Sequence, residues 1–322
     1  MGAAAHEHEL RANAAAREAA FLALMDSLAC AFRSLQDPAC AKLLGPLVPG
    51  AAMAFGARVP GTSYQLDPVQ AAFNIGTSVS WLQANDPALA TPSGHLADSL
   101  GAIVAVADYR ARKAIAEGDN PPRVRDLFDA LIRAHELASL EWARSVRSNE
   151  AVTGGNRKLA SAAARCALTR QASAACAVTL LGGTEEQVAA AVAIARTEMP
   201  AACHPGAVPD LDGHERWRIG DATSRGVRLA LVALAGQTAP RSSPPPSDET
   251  ALRLVVMAEL EETWQAVAAT PAVAERVRER FAACVAAHFP AVQAGKLAAM
   301  FADPAQLEAL PINELVSLTV RN

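Results

Sequence analysis

The sequence is poor in aromatic residues: Phe, Trp and Tyr make up 4% of its 322 residues, although 51% of the residues are hydrophobic. Alanine, leucine and valine therefore have to form the core, and such a composition favours helices over strands. The strands that a doubly wound α/β sheet would need are missing, and no tandem repeat is visible. The sequence predicts an all-α protein.

The sequence also lacks an excess of positive charge and a long apolar run. Its formal net charge is −4, which gives no basic field to attract phosphate backbones, so no nucleic-acid partner is expected. No apolar run reaches the roughly 18 residues that a transmembrane helix needs. The first residues show no basic segment followed by an apolar core, so no secretion signal is expected. We predict a cytoplasmic protein without a membrane partner.

The chain contains six cysteines but no CxxC pair. Most of them lie among alanine and valine, where cysteine behaves as a small hydrophobic residue. We therefore expect free thiols in a reducing compartment. A dinucleotide-binding fingerprint, a GxSxG elbow and an HExxH motif are all absent, so neither a cofactor nor a metal site is predicted.

Hydrophobic periodicity predicts a series of amphipathic helices. They cover about 8–35, 68–82, 98–117, 124–146 and 158–181, followed by one helix that Thr184 caps, a helix around residues 226–236 and a helical tail. Residues 238–248, rich in proline and serine, read as a linker. We predict that residues 1–237 form the first part of a helical core and that residues 249–322 complete the same domain.

A polar loop over residues 83–95 separates two apolar helices and holds the first candidate site. It carries Asn85, Asp86 and His95, and a carboxylate beside an imidazole is a common general acid/base arrangement. The alternative is a surface loop with a solvated histidine. His135, on a mostly apolar helix face, is interpreted as a structural histidine.

A second candidate site lies in the irregular segment over residues 199–216 and in the RIGDATSRG block that follows it. The segment carries His204. In the block, Asp221, Thr223 and Ser224 offer N-capping groups where backbone N–H groups would face a bound anion.

Several blocks resemble the 2-methylcitrate dehydratase branch of the MmgE/PrpD family. They are PACAKLLGPLVPG (38–50), RVPGT (58–62), LDPVQAAFNIG (66–76), the GH pair at 94–95, IRAHE (132–136), LLGGTEEQ (180–187), RWRIGDATSRGVRLAL (216–231) and QLEALPINELVSL (306–318). The resemblance implies a large all-helical domain with a smaller α/β lid domain inserted before the last helices. It also implies iron–sulfur-independent lyases and relatives that act on small polycarboxylates, usually as homodimers.

The chain departs from this family pattern at several positions. The linker leads directly to the closing helices, so the lid domain is missing. In the LDFND-T signature, Gln83 replaces the first aspartate and Pro87 the threonine. Arg165 aligns near a family histidine, and Glu215 aligns with a family lysine.

Together these observations predict His95 and Asp86 as catalytic residues. The residues predicted to bind substrate are Asn85, Gln83, Arg165, His204, Arg216, Arg218, Asp221 and Arg225. Arginines can hold carboxylates in bidentate fashion, although each is also readily explained as a solvated charge.

Three hypotheses about function remain open at this point. The first is a 2-methylcitrate dehydratase. The second is a repurposed dehydratase, isomerase or cyclase for a bulkier or carrier-tethered acid, with an open site because the lid is missing. The third is a catalytically inactive paralogue that only binds or dimerises. In each case a homodimer is expected.

Overall fold

The computed structural model describes residues 14–153, 162–198, 216–239 and 249–321, and these residues are predominantly helical. This confirms the all-α prediction. In chain order the α-helices are Ala14–Ser34 (α1), Pro38–Leu43 (α2), Pro68–Ser80 (α3), Leu100–Glu117 (α4), Val124–Thr153 (α5), Ala162–Leu180 (α6), Glu185–Thr197 (α7), Arg218–Leu234 (α8), Glu249–Ala268 (α9), Pro271–His288 (α10), Ala291–Ala302 (α11), Pro304–Ala309 (α12) and Ile312–Thr319 (α13).

Two small antiparallel hairpins accompany the helices. Strand β1 (Ala57–Arg58) pairs with β2 (Gln65–Leu66), and β3 (Ala90–Thr91) pairs with β4 (Gly94–His95). A 3₁₀ turn, Pro87–Leu89, precedes β3. The second hairpin turns the polar loop of residues 83–95 into a defined structure that ends at His95.

Two predicted helix starts are confirmed by their capping groups. The Asp67 carboxylate accepts the N–H groups of Val69 and Gln70, both at 3.0 Å, and thereby caps α3. Thr184 and Gln187 form a reciprocal capping box at the start of α7. Both caps satisfy backbone N–H groups that have no partner within the helix.

The helix predicted over about 124–146 is longer than expected, because α5 continues to Thr153. The stretch SVRSNEAVT contains neither glycine nor proline. Polar residues alone do not end a helix, and the first glycine follows directly at position 154.

The predicted N-capping role of Asp221, Thr223 and Ser224 is also wrong. Helix α8 already begins at Arg218, and its N-cap Trp217 provides no side-chain cap. Asp221 therefore lies inside the first turns of the helix, as do the two hydroxyl residues after it. Thr223 donates from Oγ1 to the carbonyl of Ala72 at 3.0 Å and so joins α8 to α3.

Close helix contacts explain the glycine of this block. A Cβ atom on Gly220 would lie 2.1 Å from Thr77 Oγ1, and one on Gly76 would lie 2.6 Å from Thr223 Oγ1. Only glycine permits this approach of α3 and α8, because any side chain would overlap with its neighbour. Helix α8 also packs against α6, so α3, α6 and α8 form the centre of the helical assembly.

The helices after residue 249 pack onto the first part of the chain. Helices α9 and α10 contact α1, and α9 also contacts α5. Trp264 of α9 is 1% exposed, and Phe281 of α10 lies in the same core cluster. Among the helices of the four described ranges, none combines the length and apolarity needed to cross a membrane.

Candidate active site

The second hairpin places His95 at the end of β4, and the residue before it has to be glycine. Gly94 has φ +146°, and a Cβ atom there would lie 2.5 Å from Asp98 Oδ2. The carboxylate of Asp98 occupies this space and accepts the backbone N–H of His95 at 3.0 Å. The Gly-His pair is thus a local requirement of the fold around His95.

The ring of His95 is held in one tautomer by the backbone. Its Nδ1 accepts the N–H of Ala97 at 3.1 Å. A neutral imidazole that accepts at Nδ1 carries its hydrogen on Nε2. Nε2 is buried and makes no hydrogen bond of regular geometry to a described residue. The backbone of Asp86 nevertheless lies close enough to raise the pKa of the ring through a hydrogen bond. His95 therefore presents an N–H donor that faces, at most, a poorly aligned backbone acceptor.

Burial lowers the pKa of His95 to about 4, and the charge of Arg165 adds to the lowering, while Asp98 and Asp86 act in the opposite direction. Burial has this effect because it disfavours the charged form of the ring. At neutral pH the ring is therefore neutral.

A partly buried ion pair holds the carboxylate that binds the His95 backbone. Arg165 donates from Nε to Asp98 Oδ2 at 2.6 Å, and its second nitrogen pairs with the other carboxylate oxygen. This bidentate geometry fixes the carboxylate that receives the His95 N–H. Arg165, predicted to bind substrate, is in this structure committed to Asp98.

His135 of α5 lies on the other side of the same space. Its Nε2 is 3.0 Å from Thr91 Oγ1, which in turn is 2.7 Å from Ser93 Oγ, and Ser93 Oγ is 2.9 Å from Ser139 Oγ. Burial, reinforced by the nearby His95, lowers the pKa of His135 to about 4. The residue interpreted as purely structural thus belongs to a buried polar network beside His95.

These groups line a small cavity, which we call the His95 pocket. Its lining residues are Ser93, Gly94, His95, Leu96, Asp98, Ser99, Ala134, His135, Ala138, Leu168 and Thr169. The free space inside is about enough for one water molecule. The open pocket expected from the missing lid is therefore not what the described residues form around His95.

The other end of the loop forms a separate group of charges, the Asp26 cluster, which consists of Asp26, Asn85, Asp86, Arg276 and Arg280. Asp26 of α1 is fully buried and accepts the Asn85 amide at 3.1 Å and the backbone N–H of Asp86 at 3.0 Å. Arg280 of α10 forms an ion pair with Asp26 and donates to the carbonyl of Ala84 at 2.7 Å. The cluster fixes the loop between the first helix and the C-terminal helices.

The carboxylate of Asp86 is occupied by structural contacts. It accepts the N–H of Ala88 at 3.0 Å and pairs with Arg276 at 3.1 Å. Its charge still raises the pKa of His95, so the two residues are neighbours. Among the contacts of the described residues, however, no hydrogen bond joins the Asp86 carboxylate to the His95 ring.

The remaining predicted arginines lie outside the His95 pocket. Arg216 is 3.8 Å from Asp37 and stacks over the Trp81 ring at 5.5 Å. Arg225 pairs with Glu198, its Nε donating at 2.8 Å. None of the residues that line the pocket is an arginine.

The other predicted substrate-binding residues are also spread over the structure. Gln83 is exposed and adopts a left-handed conformation with φ +48°. Asp221 lies on the exposed face of α8, and Arg218 opens that helix without lining the pocket. His204 falls in the segment 199–215, outside the described residues.

Sequence reasoning missed Asp98, Asp26, Arg276 and Arg280. A signal existed for Asp26, because it is a lone carboxylate in the apolar run FLALMDSLACAF. A buried charge of this kind requires a partner. Nothing in the sequence indicates that the partner, Arg280, follows far along the chain.

The sequence was compared with protein families and with known proteins. The MmgE/PrpD N-terminal domain matches residues 3–244. The chain is 39% identical to a 2-methylcitrate dehydratase of Escherichia coli K12 over 176 residues, which are 55% of this chain and 34% of that protein. It is 40% identical to the 2-methylcitrate dehydratase of Cupriavidus necator over 176 residues, again 55% and 34% of the two chains.

A 2-methylcitrate dehydratase-like protein of Aspergillus oryzae is 32% identical over 189 residues, which are 56% of this chain and 35% of that protein. The matched region thus spans about a third of the length of these relatives.

Proposed function

The chain belongs to the MmgE/PrpD family, and from this premise we propose that it is a lyase-type enzyme for a carboxylate substrate. Its reaction is a dehydration, or an isomerisation or cyclisation derived from one, on a small or carrier-tethered acid, and it uses no cofactor. The observation that supports this most is His95, a buried and neutral imidazole whose Nε2 makes no hydrogen bond of regular geometry to a described residue. Matched relatives carry the name 2-methylcitrate dehydratase.

Dehydrating a β-hydroxy acid requires a base for the carbon-bound proton, a donor for the leaving hydroxyl and cations for the carboxylates. The tautomer of His95 suits the donor role, because Nε2 carries the hydrogen. His95 then donates a hydrogen bond to a substrate oxygen on which negative charge develops. Asp86 contributes only through its charge, which raises the pKa of the ring, while its carboxylate stays bound to Ala88 and Arg276. Arg165 would bind a substrate carboxylate only after releasing the carboxylate of Asp98.

We propose further that residues 238–248 stand in place of the family's lid domain. The packing of α9 and α10 on α1 supports the view that the closing helices belong to the same helical domain. Without a lid, the C-terminal helices and the second hairpin have to exclude water from the His95 pocket. A homodimer, which the family resemblance implies, remains part of this proposal.

A turnover assay with two matched histidine variants tests the proposal. Purified protein is incubated with 2-methylcitrate, citrate and larger hydroxy acids, and the ultraviolet absorbance of a new conjugated double bond is followed. We expect turnover of at least one acid, lost in His95→Asn, which has no donor at the Nε2 position, and kept in His288→Gln. His288 is also buried, but it binds the carbonyl of Gly61 and does not line the His95 pocket. Turnover that survives in His95→Asn contradicts the proposal, and turnover restricted to 2-methylcitrate identifies a 2-methylcitrate dehydratase.

A catalytically inactive binding or dimerisation protein is the second candidate, and two observations favour it. The His95 pocket has room for about one water molecule. Arg165, Arg216 and Arg225 are each paired with an internal carboxylate. Calorimetry that detects acid binding without turnover, or a stable dimer without any acid binding, would support this candidate over the enzyme.

A further inference from the structure

The residues that hold the second hairpin lead to an inference about His135. The hairpin turn runs from Thr91 to Gly94, and His95 is its last residue. Thr91 Oγ1 contacts three groups: His135 Nε2 at 3.0 Å, Ser93 Oγ at 2.7 Å and the carbonyl oxygen of Gly94 at 3.3 Å. The hydroxyl of Thr91 thus links helix α5 to the peptide group that precedes His95.

The direction of the hydrogen bond between His135 and Thr91 depends on which ring nitrogen of His135 carries the hydrogen. His135 Nδ1 is buried and makes no hydrogen bond to a described residue. An unsatisfied buried N–H is rarer and more costly than an unsatisfied acceptor. The hydrogen of the neutral ring therefore belongs on Nε2, which donates to Thr91. The single hydrogen of Thr91 is then available for the Gly94 carbonyl or for Ser93.

The ring of His135 is itself fixed on a rigid element. His135 lies inside α5, is 4% exposed, and packs beside Trp264 of α9 with ring centroids 6.3 Å apart. Ser139, one turn further along α5, binds Ser93 of the same hairpin. Helix α5 is thus hydrogen-bonded to the hairpin at two points, His135 to Thr91 and Ser139 to Ser93.

We propose that His135 is a positioning residue for His95, which acts by donating from Nε2 to Thr91 and so fixes the hairpin that carries the His95 ring. This inference rests on the proposed function of the His95 pocket. His135 has no contact with substrate in this account. Its contribution is to keep Nε2 of His95 within the narrow range of positions that a donor to a reacting oxygen needs.

Kinetics of paired variants at Thr91 test the proposal. Thr91→Val removes the hydroxyl and keeps the shape of the side chain, whereas Thr91→Ser keeps the hydroxyl and removes only the methyl group. We expect kcat to fall about tenfold or more in Thr91→Val with KM nearly unchanged, since a small misplacement of a catalytic group lowers the rate without removing substrate contacts. Thr91→Ser should recover most of kcat. An unchanged kcat in Thr91→Val would overturn the proposal.

A second measurement does not depend on turnover. Long-range ¹H–¹⁵N spectra of the histidine rings report the chemical shifts and proton exchange of His95. We expect the His95 signals to shift and its Nε2 proton to exchange faster in Thr91→Val and in His135→Leu, but not in Thr91→Ser or in the control His288→Gln.

These spectra separate the two claims. If the wild-type protein turns over no acid but its His95 signals respond to Thr91→Val, the proposed function fails while the positioning role stands. If the His95 signals are the same in wild type and Thr91→Val, the positioning role is refuted even for an active enzyme. Should His135→Leu fail to fold, Thr91→Val alone decides the question.

Discussion

The two ends of the loop over residues 83–95 differ in how their polar groups are satisfied. In the Asp26 cluster, the carboxylates of Asp26 and Asp86 are matched in charge by Arg280 and Arg276 and accept backbone N–H groups. Three buried atoms of the Asp26–Arg280 pair make no regular hydrogen bond, but their opposite charges compensate each other. In the His95 pocket, two buried ring nitrogens make no hydrogen bond of regular geometry to a described residue. Buried polar groups are normally paired, and exceptions concentrate at functional sites. We conclude that the Asp26 cluster has a structural role and that the His95 pocket is the candidate catalytic site.

The largest effect that separates the two regions is expected for His95→Asn. Loss of the Nε2 donor at this position should lower kcat/KM by about 10²–10⁴-fold, the usual contribution of such a group. The unfolding midpoint should change little, since the asparagine Oδ1 can accept the Ala97 N–H in place of Nδ1. Steady-state kinetics with the acid identified in the turnover assay provide the measurement, and a loss below threefold would place the chemistry elsewhere.

A change in the Asp26 cluster should instead affect folding. Arg280→Met leaves the fully buried Asp26 carboxylate without its cation, and breaking a buried ion pair on one side costs about 3–5 kcal/mol. Urea unfolding should show this loss of stability. The double variant Asp26→Leu/Arg280→Met should recover part of the stability, because it leaves no unpaired charge. If Arg280→Met alone is as stable as wild type, the cluster does not hold the loop.

The pH dependence of stability should reflect the buried histidines. Burial lowers the pKa of His95 and of His135 from 6.5 to about 4. Their contribution to stability is therefore complete above pH 6.5 and is lost as the pH falls toward 4, because the unfolded state binds more protons in this range. It amounts to on the order of 3 kcal/mol for each histidine.

A variant without one of these histidines tests whether stability falls with pH for this reason. His135→Gln should reduce the slope of unfolding free energy against pH between 6.5 and 4 by up to about 1.4 kcal/mol per pH unit. Ser139→Ala, a neighbouring change without a titrating group, should keep the wild-type slope. Urea unfolding at a series of pH values gives these slopes, and equal slopes for wild type and His135→Gln would contradict the burial argument.

The smallest effect is expected for Arg276→Met. The side chain of Arg276 is 55% exposed, whereas that of Asp86 is 5% exposed. Ion pairs near solvent contribute about 0–1 kcal/mol, so the stability should change by no more than this. Asp86 keeps its backbone hydrogen bond to Ala88. A loss as large as that of Arg280→Met would show that the two arginines of the cluster are equivalent after all.

Local chemistry made much of the fold predictable. Asp67 followed by Pro68, and Thr184 followed by Gln187, contain the full signal for a helix start within four residues, and the structure has both caps. Proline also marks helix starts in the C-terminal part, where Pro304 is the first residue of α12 and Pro311 the N-cap of α13. The end of α5 was misplaced because its last residues, RSNEAVT, are mostly polar and resemble a loop in sequence.

The candidate site was predictable only in part, because its contacts are long-range. The Gly-His pair drew attention to His95, but the partners of its hairpin, such as His135, come from another helix. Arg280 meets Asp26 from the far end of the chain. The RIGDATSRG block was interpreted as a helix start with capping side chains, whereas its Gly220 lies inside α8 and permits the contact with α3. Residue spacing along the sequence does not indicate which distant segments come into contact in the fold.

The protonation of His95 tests the central claim most directly. In a ¹⁵N titration of the histidine rings from pH 8 to pH 3.5, the account predicts that His95 is neutral at pH 7, with its hydrogen on Nε2, and that it titrates near pH 4. A His95 that titrates near 6.5, or that carries its hydrogen on Nδ1 at neutral pH, would contradict the buried donor on which the proposed function rests.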